Sequence, residues 1–322
     1  MRRQTVVSVG DLVADIVVSI DHFPVLPAAH QFTREIRLEP GGAGNFLIAG
    51  ARLGLHMIAL GVLGDDPFGR EAADVLEREG VDLRGLIRLP GTTTTTVIAL
   101  TDGGGRHVYL GGYGVGPSPT AMALSEGWRA AASEANALFA SGYTLHEQRL
   151  ADAALKVMAL AQEKDVPVFF DPGPEMMDAT AGQRAAVLRA STAILLTEEE
   201  IPLLAEGREG PAAARGLLAD GPALVCVKRG ARGCAIYTAK EDVESLGYPV
   251  TVRDTSAAGD SFDAAFIYAY LRGWSLADVA AFANAVGAAK VQKIGSGRQV
   301  PTADEVRAVL KKYGVSLDFP GS

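Results

Sequence analysis

The chain has 322 residues, 48% of them hydrophobic and 37 of them glycine, with a net charge of −8. That size and composition suit a large α/β core with one smaller unit, and the negative balance argues against broad binding to nucleic acid or anionic membranes. No run of about 18 apolar residues occurs, so no membrane span is expected, and Met1-Arg2-Arg3-Gln4-Thr5 leads into a strand-like Val6-Val7-Ser8-Val9 instead of a secretory leader.

The apolar run 5–9 reads as a strand, followed by Asp11 and Asp15. A carboxylate there can accept hydrogen bonds from neighbouring hydroxyls of a sugar, although most single aspartates are exposed turn residues. The pattern does not choose between the two. Residues 16–38 and 92–111 alternate like strands and are rich in β-branched side chains. Asp102-Gly103-Gly104-Gly105 signals a hairpin within the second stretch. They predict a small β-sheet lid, the alternative being two extra strands on the main sheet. The threonine run 92–96 reads as β-forming sequence.

Gly41-Gly42-Ala43-Gly44-Asn45 precedes helical periodicity over 44–53. Paired glycines permit close backbone approach, and Asn45 suits a hydroxyl-rich ligand or a simple helix cap. Strands are then predicted at 57–61, 137–140, 167–170, 193–196 and 223–227, and helices at 68–79, 147–163, 182–190, 211–219, 260–272, 275–292 and 302–312. Such alternation implies a central, mostly parallel β-sheet with helices on both faces, whose sites lie at the strands' carboxyl ends. Residues 1–15, 39–91 and 112–322 would form this large α/β domain, and 16–38 and 92–111 the lid.

Other chemistries find little footing. Gly112-Tyr113-Gly114-Val115-Gly116 runs into Pro117 and Pro119 instead of a helix, which fails the dinucleotide fingerprint. His22, His30, His56, His107 and His146 are scattered with no pair at ligand spacing. Arg106 and His107, beside the hairpin, could reach into a pocket. Lys228, Arg229 and Arg232 could meet phosphates or be solvated loop charges. Cys226 and Cys234 fit no zinc or redox motif and suit a reducing, cytoplasmic compartment.

Asp254-Thr255-Ser256-Ala257-Ala258-Gly259-Asp260 is the most informative segment. It reads as a small-residue turn between a strand-like run and an amphipathic helix over 261–272. Tiny side chains at a helix N-terminus leave backbone N–H groups open to an anion, and the helix dipole favours negative charge there. Asp260 follows at once, so a base stands beside a phosphate-sized cradle, as phosphoryl transfer from a nucleotide to an alcohol requires.

Together these segments resemble the ribokinase-like, or PfkB, family of carbohydrate kinases, nearly end to end. Residues 254–262 resemble its second signature, and Gly41-Gly42-Ala43-Gly44-Asn45, with Gly54 and Gly64, its first. The resemblance implies an ATP-dependent sugar kinase with Asp260 as catalytic base and the amides of Ala257, Ala258 and Gly259 as anion hole. Asp15, Gly41, Gly42 and Asn45, with Asp260, would contact the sugar. Asn284 matches a position near the adenine, and Lys228, Gly230 and Gly233 a nucleotide loop. Asp254 and Ser256, with carbonyls near Val291, Ile294 and Gly297, match a potassium site, while Mg²⁺ would accompany ATP. The family's Asn-x-x-Glu motif, linked to Mg²⁺ and phosphate, reads here Thr197-Glu198-Glu199-Glu200, so Glu200 keeps its place while Thr197 departs. Asp171-Pro172-Gly173-Pro174-Glu175 replaces Asp-Pro-Asn-x-Arg, and Leu47 a small residue.

The partner implied is a small sugar or polyol, with no nucleic acid and no membrane. An open strand edge on the lid would suit a homodimer. The nearest rival is a nucleoside kinase of the same fold, and a more distant one a non-catalytic sugar or nucleotide sensor, against which the retained Asp260 argues.

Overall fold

The computed structural model of the chain describes residues 3–27, 30–33, 35–104, 106–112, 125–146 and 148–320. Its strands are β1 (Thr5–Val9), β2 (Leu12–Ile20), β3 (Ile36–Gly42), β4 (His56–Gly64), β5 (Asp82–Leu89), β6 (Thr96–Asp102), β7 (His107–Gly112), β8 (Ala137–Ser141), β9 (Val168–Asp171), β10 (Ala193–Thr197), β11 (Leu224–Lys228), β12 (Cys234–Thr238) and β13 (Asp242–Ser245). Among the described residues, nine of them form one sheet in the order β13-β12-β11-β10-β9-β8-β1-β4-β5. Pairings from β11 through to β5 are parallel, and β12 and β13 add antiparallel strands at one edge.

Successive strand residues feed opposite cores. Phe139, Phe169 and Leu195 enter one, and Leu138, Phe170 and Leu196 the other. Both faces are covered, which explains apolar strands without polar alternation. On the first face lie the helices Ala43–Arg52, Ala258–Leu271 and Leu276–Lys290. Phe46 stacks on Phe139 at 3.9 Å, tying the first of these helices to β8.

Two expectations near the key turn are corrected. The helix Ala258–Leu271 is not amphipathic, because residues 261–269 are buried throughout. It is enclosed by the sheet and by its neighbours Ala43–Arg52 and Leu276–Lys290, so no stripe faces water. Nor does a strand precede the turn. Residues 246–253 pair with no sheet, and the amides of Arg253 and Asp254 instead donate to the Val291 carbonyl at 2.7 and 3.2 Å.

The two β-rich stretches make a separate sheet in the order β3-β2-β6-β7. Its β6–β7 turn is held by Asp102, whose carboxylate accepts from the amides of Gly104 and Arg106 and from Arg106 Nε. β2 begins at Leu12 and β3 runs to Gly42, so Asp15, Gly41 and Gly42 lie on this sheet itself, outside the 16–38 boundary expected for it. From β1 the chain builds β4 and β5 on one side and β8 to β11 on the other. That reversal opens a crevice beyond the strands' carboxyl ends. No helix among the described residues is long and apolar enough to cross a membrane.

Candidate active site

Asp254 shapes the turn. Its Oδ1 accepts from the Ser256 amide and hydroxyl at 2.9 and 2.8 Å, and its Oδ2 from the Gly295 amide at 2.6 Å. These bonds hold the bend that Ala257 completes at φ 59° and ψ 14°, a left-handed conformation that costs a non-glycine residue roughly 1–2 kcal/mol. The helix Ala258–Leu271 then starts with no side-chain cap. Thr180 and Thr302, in contrast, close capping boxes on the helices Ala181–Ala190 and Ala303–Lys312. First-turn N–H groups at the bend are thereby left to a ligand. Of the three amides singled out, that of Ala258 donates to the Thr255 carbonyl at 3.2 Å and is engaged within the bend.

The bend is the wall between two cavities. The first, about 610 Å³, is lined by Asp11, Asp15, Asn45, Tyr109, Asp171 and Asp260 among others. Thr197, Lys228, Gly230, Gly233 and Asn284 help line the second, of about 650 Å³. Ser256, Ala257 and Asp260 face the first, whereas Thr255, Ala258 and Gly259 face the second.

Asp260 opens onto the first cavity with protein behind it. Burial, reinforced by the charge of Asp171, pushes its carboxyl up to about 7, against a hydrogen bond from Asn45. The Asn45 Oδ1 accepts from the Gly297 amide at 2.7 Å, which fixes its orientation. Asp15 is held by the Ser296 hydroxyl at 2.6 Å, and burial raises it to about 6 despite that bond. Gly42 lines the cavity but Gly41 does not. A Cβ on Gly41 would fall 2.2–2.3 Å from the Asp15 carboxylate, so its part is to make room for that group. The choice between Asp11 and Asp15 dissolves, since both line the cavity.

The second cavity is framed by backbone. Gly233 sits at φ +88°, where a Cβ would lie 2.0 Å from the Ser245 carbonyl, so the loop there closes against β13. Asn284 donates to the Ser245 hydroxyl at 3.1 Å and the Leu246 carbonyl at 3.3 Å, clamping the helix Leu276–Lys290 to the same edge. Thr197 lines the cavity; Glu200 does not, its carboxylate accepting the Thr197 amide at 2.8 Å, with burial pushing its pKa up.

The basic trio expected to meet phosphates is internally paired. Lys228 Nζ lies 2.8 Å from Asp171 and 3.2 Å from Asp263. Burial opposes its charge, but Asp171, Asp263 and Glu200 outweigh that and hold its pKa above the ordinary lysine value. Arg229 pairs with Glu244, and Arg232 with Glu198. Arg106 pairs with Asp102 while His107 lies against the Tyr109 ring, and neither lines the first cavity. Residues 113–116 of the glycine run after β7 lie outside the described residues.

The potassium group does not assemble as expected. The Val291 carbonyl takes two amides, and the Ile294 carbonyl accepts Arg37 Nη2 at 3.1 Å. The Gly297 carbonyl accepts the Val300 amide at 3.0 Å. Lys290 is wholly buried on the same segment, its Nζ donating to the Lys293 carbonyl at 3.2 Å. Burial lowers that ammonium to about 8, against the pull of Asp254. A potassium ion here would stand beside an ammonium and a guanidinium, and like charges repel strongly away from water. These residues do not fit it.

Sequence reasoning missed Asp171, Asp263, Tyr109 and Ser296. Asp171 was visible as a strand-end carboxylate, but nothing in the sequence marks its partner Lys228. Chemically, the arrangement joins a proton acceptor in one cavity to an anion-receptive bend in the other, the layout for passing a phosphoryl group between two ligands.

The sequence pattern of the pfkB family carbohydrate kinases matches residues 3–303. An ATP-dependent ribose-1-phosphate kinase from Halopiger xanaduensis is 29% identical, covering 95% of this chain and 98% of its own. A nucleoside kinase from Methanothermobacter thermautotrophicus is 26% identical over 95% of this chain and 96% of its own. A structure from E. coli described as a ribokinase II, in complex with ATP and Mg²⁺, superposes with a TM-score of 0.84 at 24% identity, covering 97% of this chain and 100% of that one.

Proposed function

The chain belongs to the pfkB family of carbohydrate kinases, ATP-dependent phosphotransferases with an alcohol acceptor, and we propose that its acceptor is a small neutral sugar held in the first cavity. One observation carries this reading: Asp260 faces one cavity and Gly259 the other across a single bend. Hydroxyls of the sugar meet Asp11, Asp15 and Asn45. Asp260 receives the proton of the attacking hydroxyl late in a loose transition state. ATP lies in the second cavity with its adenine toward Asn284 and its terminal phosphate toward Gly259. Mg²⁺ would arrive with ATP and neutralise phosphate oxygens, since among the described residues no group of three or more acidic, histidine or cysteine side chains could hold a metal ion by itself.

Neutrality of the sugar follows from the wall. Among the described residues lining the first cavity are four aspartates and neither lysine nor arginine, so a phosphate on the acceptor would be repelled. A second reading, a nucleoside acceptor, is favoured by the apolar part of the same wall, where Val97, Ala99, Phe139 and Tyr143 could face a base. ADP release measured with ribose, fructose, ketodeoxygluconate, inositol, ribose 1-phosphate and nucleosides separates these. Turnover confined to nucleosides establishes the second reading, preference for ribose 1-phosphate refutes neutrality, and no acceptor-dependent release rejects both.

Val13, Asp15, Val97 and Tyr109 of the small sheet roof the first cavity, and closure of this lid over bound sugar would exclude water. Unchanged hydrogen exchange in β2, β6 and β7 on adding a turned-over sugar would remove that role. The sheet's outer face carries two apolar rows in register, Ile16-Ile98-Leu110 and Val18-Leu100-Val108, with Leu110 54% and Val108 43% exposed. Such a face suits a second copy of the chain through the lid. Light scattering that finds a monomer at micromolar concentration would exclude it. The buried thiols of Cys226 and Cys234 are free in neighbouring strands, which fits work in a reducing cytoplasm.

A further inference from the structure

We propose that this chain supplies the monovalent cation of its 291–297 loop from its own sequence: the Lys290 ammonium, backed by the Arg37 guanidinium, stands in for potassium, and the protein needs no such ion.

The inference begins with burial. Lys290 has no solvent exposure, and a buried ammonium persists only where acceptors and a counter-charge surround it. Its Nζ donates to the Lys293 carbonyl, and Asp254 is the carboxylate that most favours its charge. Asp254 is the same group that fixes the bend through Ser256 and Gly295. Arg37 arrives independently, from β3 of the small sheet, and takes the Ile294 carbonyl one residue further along. Two carbonyls, those of Lys293 and Ile294, thus accept from protein cations, and Asp254, one of the buried carboxylates the loop bonds to, already has a positive neighbour.

The loop matters because it braces both sides of the site. Ser296 donates to Asp15, Gly297 to Asn45, Gly295 to Asp254, and Arg298 to Glu39. Whatever holds the loop therefore holds the first cavity's polar wall and the bend together. A covalently attached cation does this at every salt composition, whereas a bound ion would do so only when present.

The test uses the intact protein and does not depend on knowing the acceptor. Thermal unfolding is followed in choline, sodium, potassium and rubidium chloride at one ionic strength, and crystals are soaked in rubidium chloride for anomalous scattering. The wild type is expected to show the same midpoint in all four salts and no anomalous peak within the loop. A potassium-specific rise in midpoint, or a peak among the 291–297 carbonyls, overturns the proposal. Lys290→Met is expected to gain a potassium-specific rise of a few degrees and a rubidium peak near Asp254. A folded Lys290→Met protein indifferent to potassium refutes Lys290 as the substitute. If that variant does not fold, the wild-type salt series and soak still decide, and Arg37→Met, predicted to weaken the exclusion of rubidium at Ile294, provides a second check.

Discussion

The two cavities on either side of the bend are built by different means. The first is walled by side chains from two sheets, with Asp15 and Tyr109 from the small sheet meeting Asp171 and Asp260 from the large unit. The second belongs to the large unit alone and owes its outline to glycines and to the start of a helix without a side-chain cap. In the proposed reading, backbone amides meet what all nucleotides share, a phosphate. Carboxylates on separate bodies can be respaced one by one and discriminate hydroxyl patterns. Specificity should therefore be altered by substitutions in the first cavity that leave the second untouched.

The largest expected effect breaks the link between the two. Asp260→Asn should lower kcat by roughly 10²–10⁴ while sugar affinity moves little. The same change should not cost stability. Asp260 is raised to about 7 in the fold, from about 3.9 in an unfolded chain. Between those values the folded form binds a proton that the unfolded form does not, so stability falls as pH rises through that window. Asparagine removes this penalty, and a higher unfolding midpoint at pH 8 alongside lost turnover would show both halves.

Next is the buried ion cluster between the cavities. Lys228→Met leaves Asp171 and Asp263 without their cation and should destabilise the fold by about 3–5 kcal/mol, read from urea unfolding. Asn45→Ala sharpens the contrast. It should raise the KM for sugar by roughly tenfold or more through an unpaired Asp260 and leave the KM for ATP near its original value. Turnover should also rise about tenfold per pH unit up to about 7 and then level, because only the ionised Asp260 accepts a proton. Smallest is Tyr109→Phe, which deletes the 2.6 Å bond between the small sheet and Ser256. One such bond, worth about 0.5–1.5 kcal/mol, implies a severalfold loss in kcat/KM.

How much of this was legible varies with distance along the chain. The bend was readable because residues 254–260 are contiguous, and small side chains followed by an aspartate state their own backbone geometry. Six strands of the main sheet were readable from unbroken apolar runs, whereas β5, β12 and β13 were not predicted. By contrast, Lys228 meets Asp171 and Asp263 across 57 and 35 residues, and Tyr109 meets Ser256 across 147. Lys290 reads in sequence as an ordinary helix lysine, and the strand-like run before the turn joins no sheet, its end held by the Val291 carbonyl instead.

Local chemistry, carried by residues adjacent in the chain, was thus determined by the sequence itself: the alternation that makes a parallel sheet, the uncapped helix start, and the carboxylate beside it. Only the tertiary structure decided which charges neutralise one another, that Glu200 and the basic trio are occupied, and that Lys290 and Arg37 donate to carbonyls of the 291–297 loop. Electrostatic pairing depends on distances through space, and a linear pattern does not carry those.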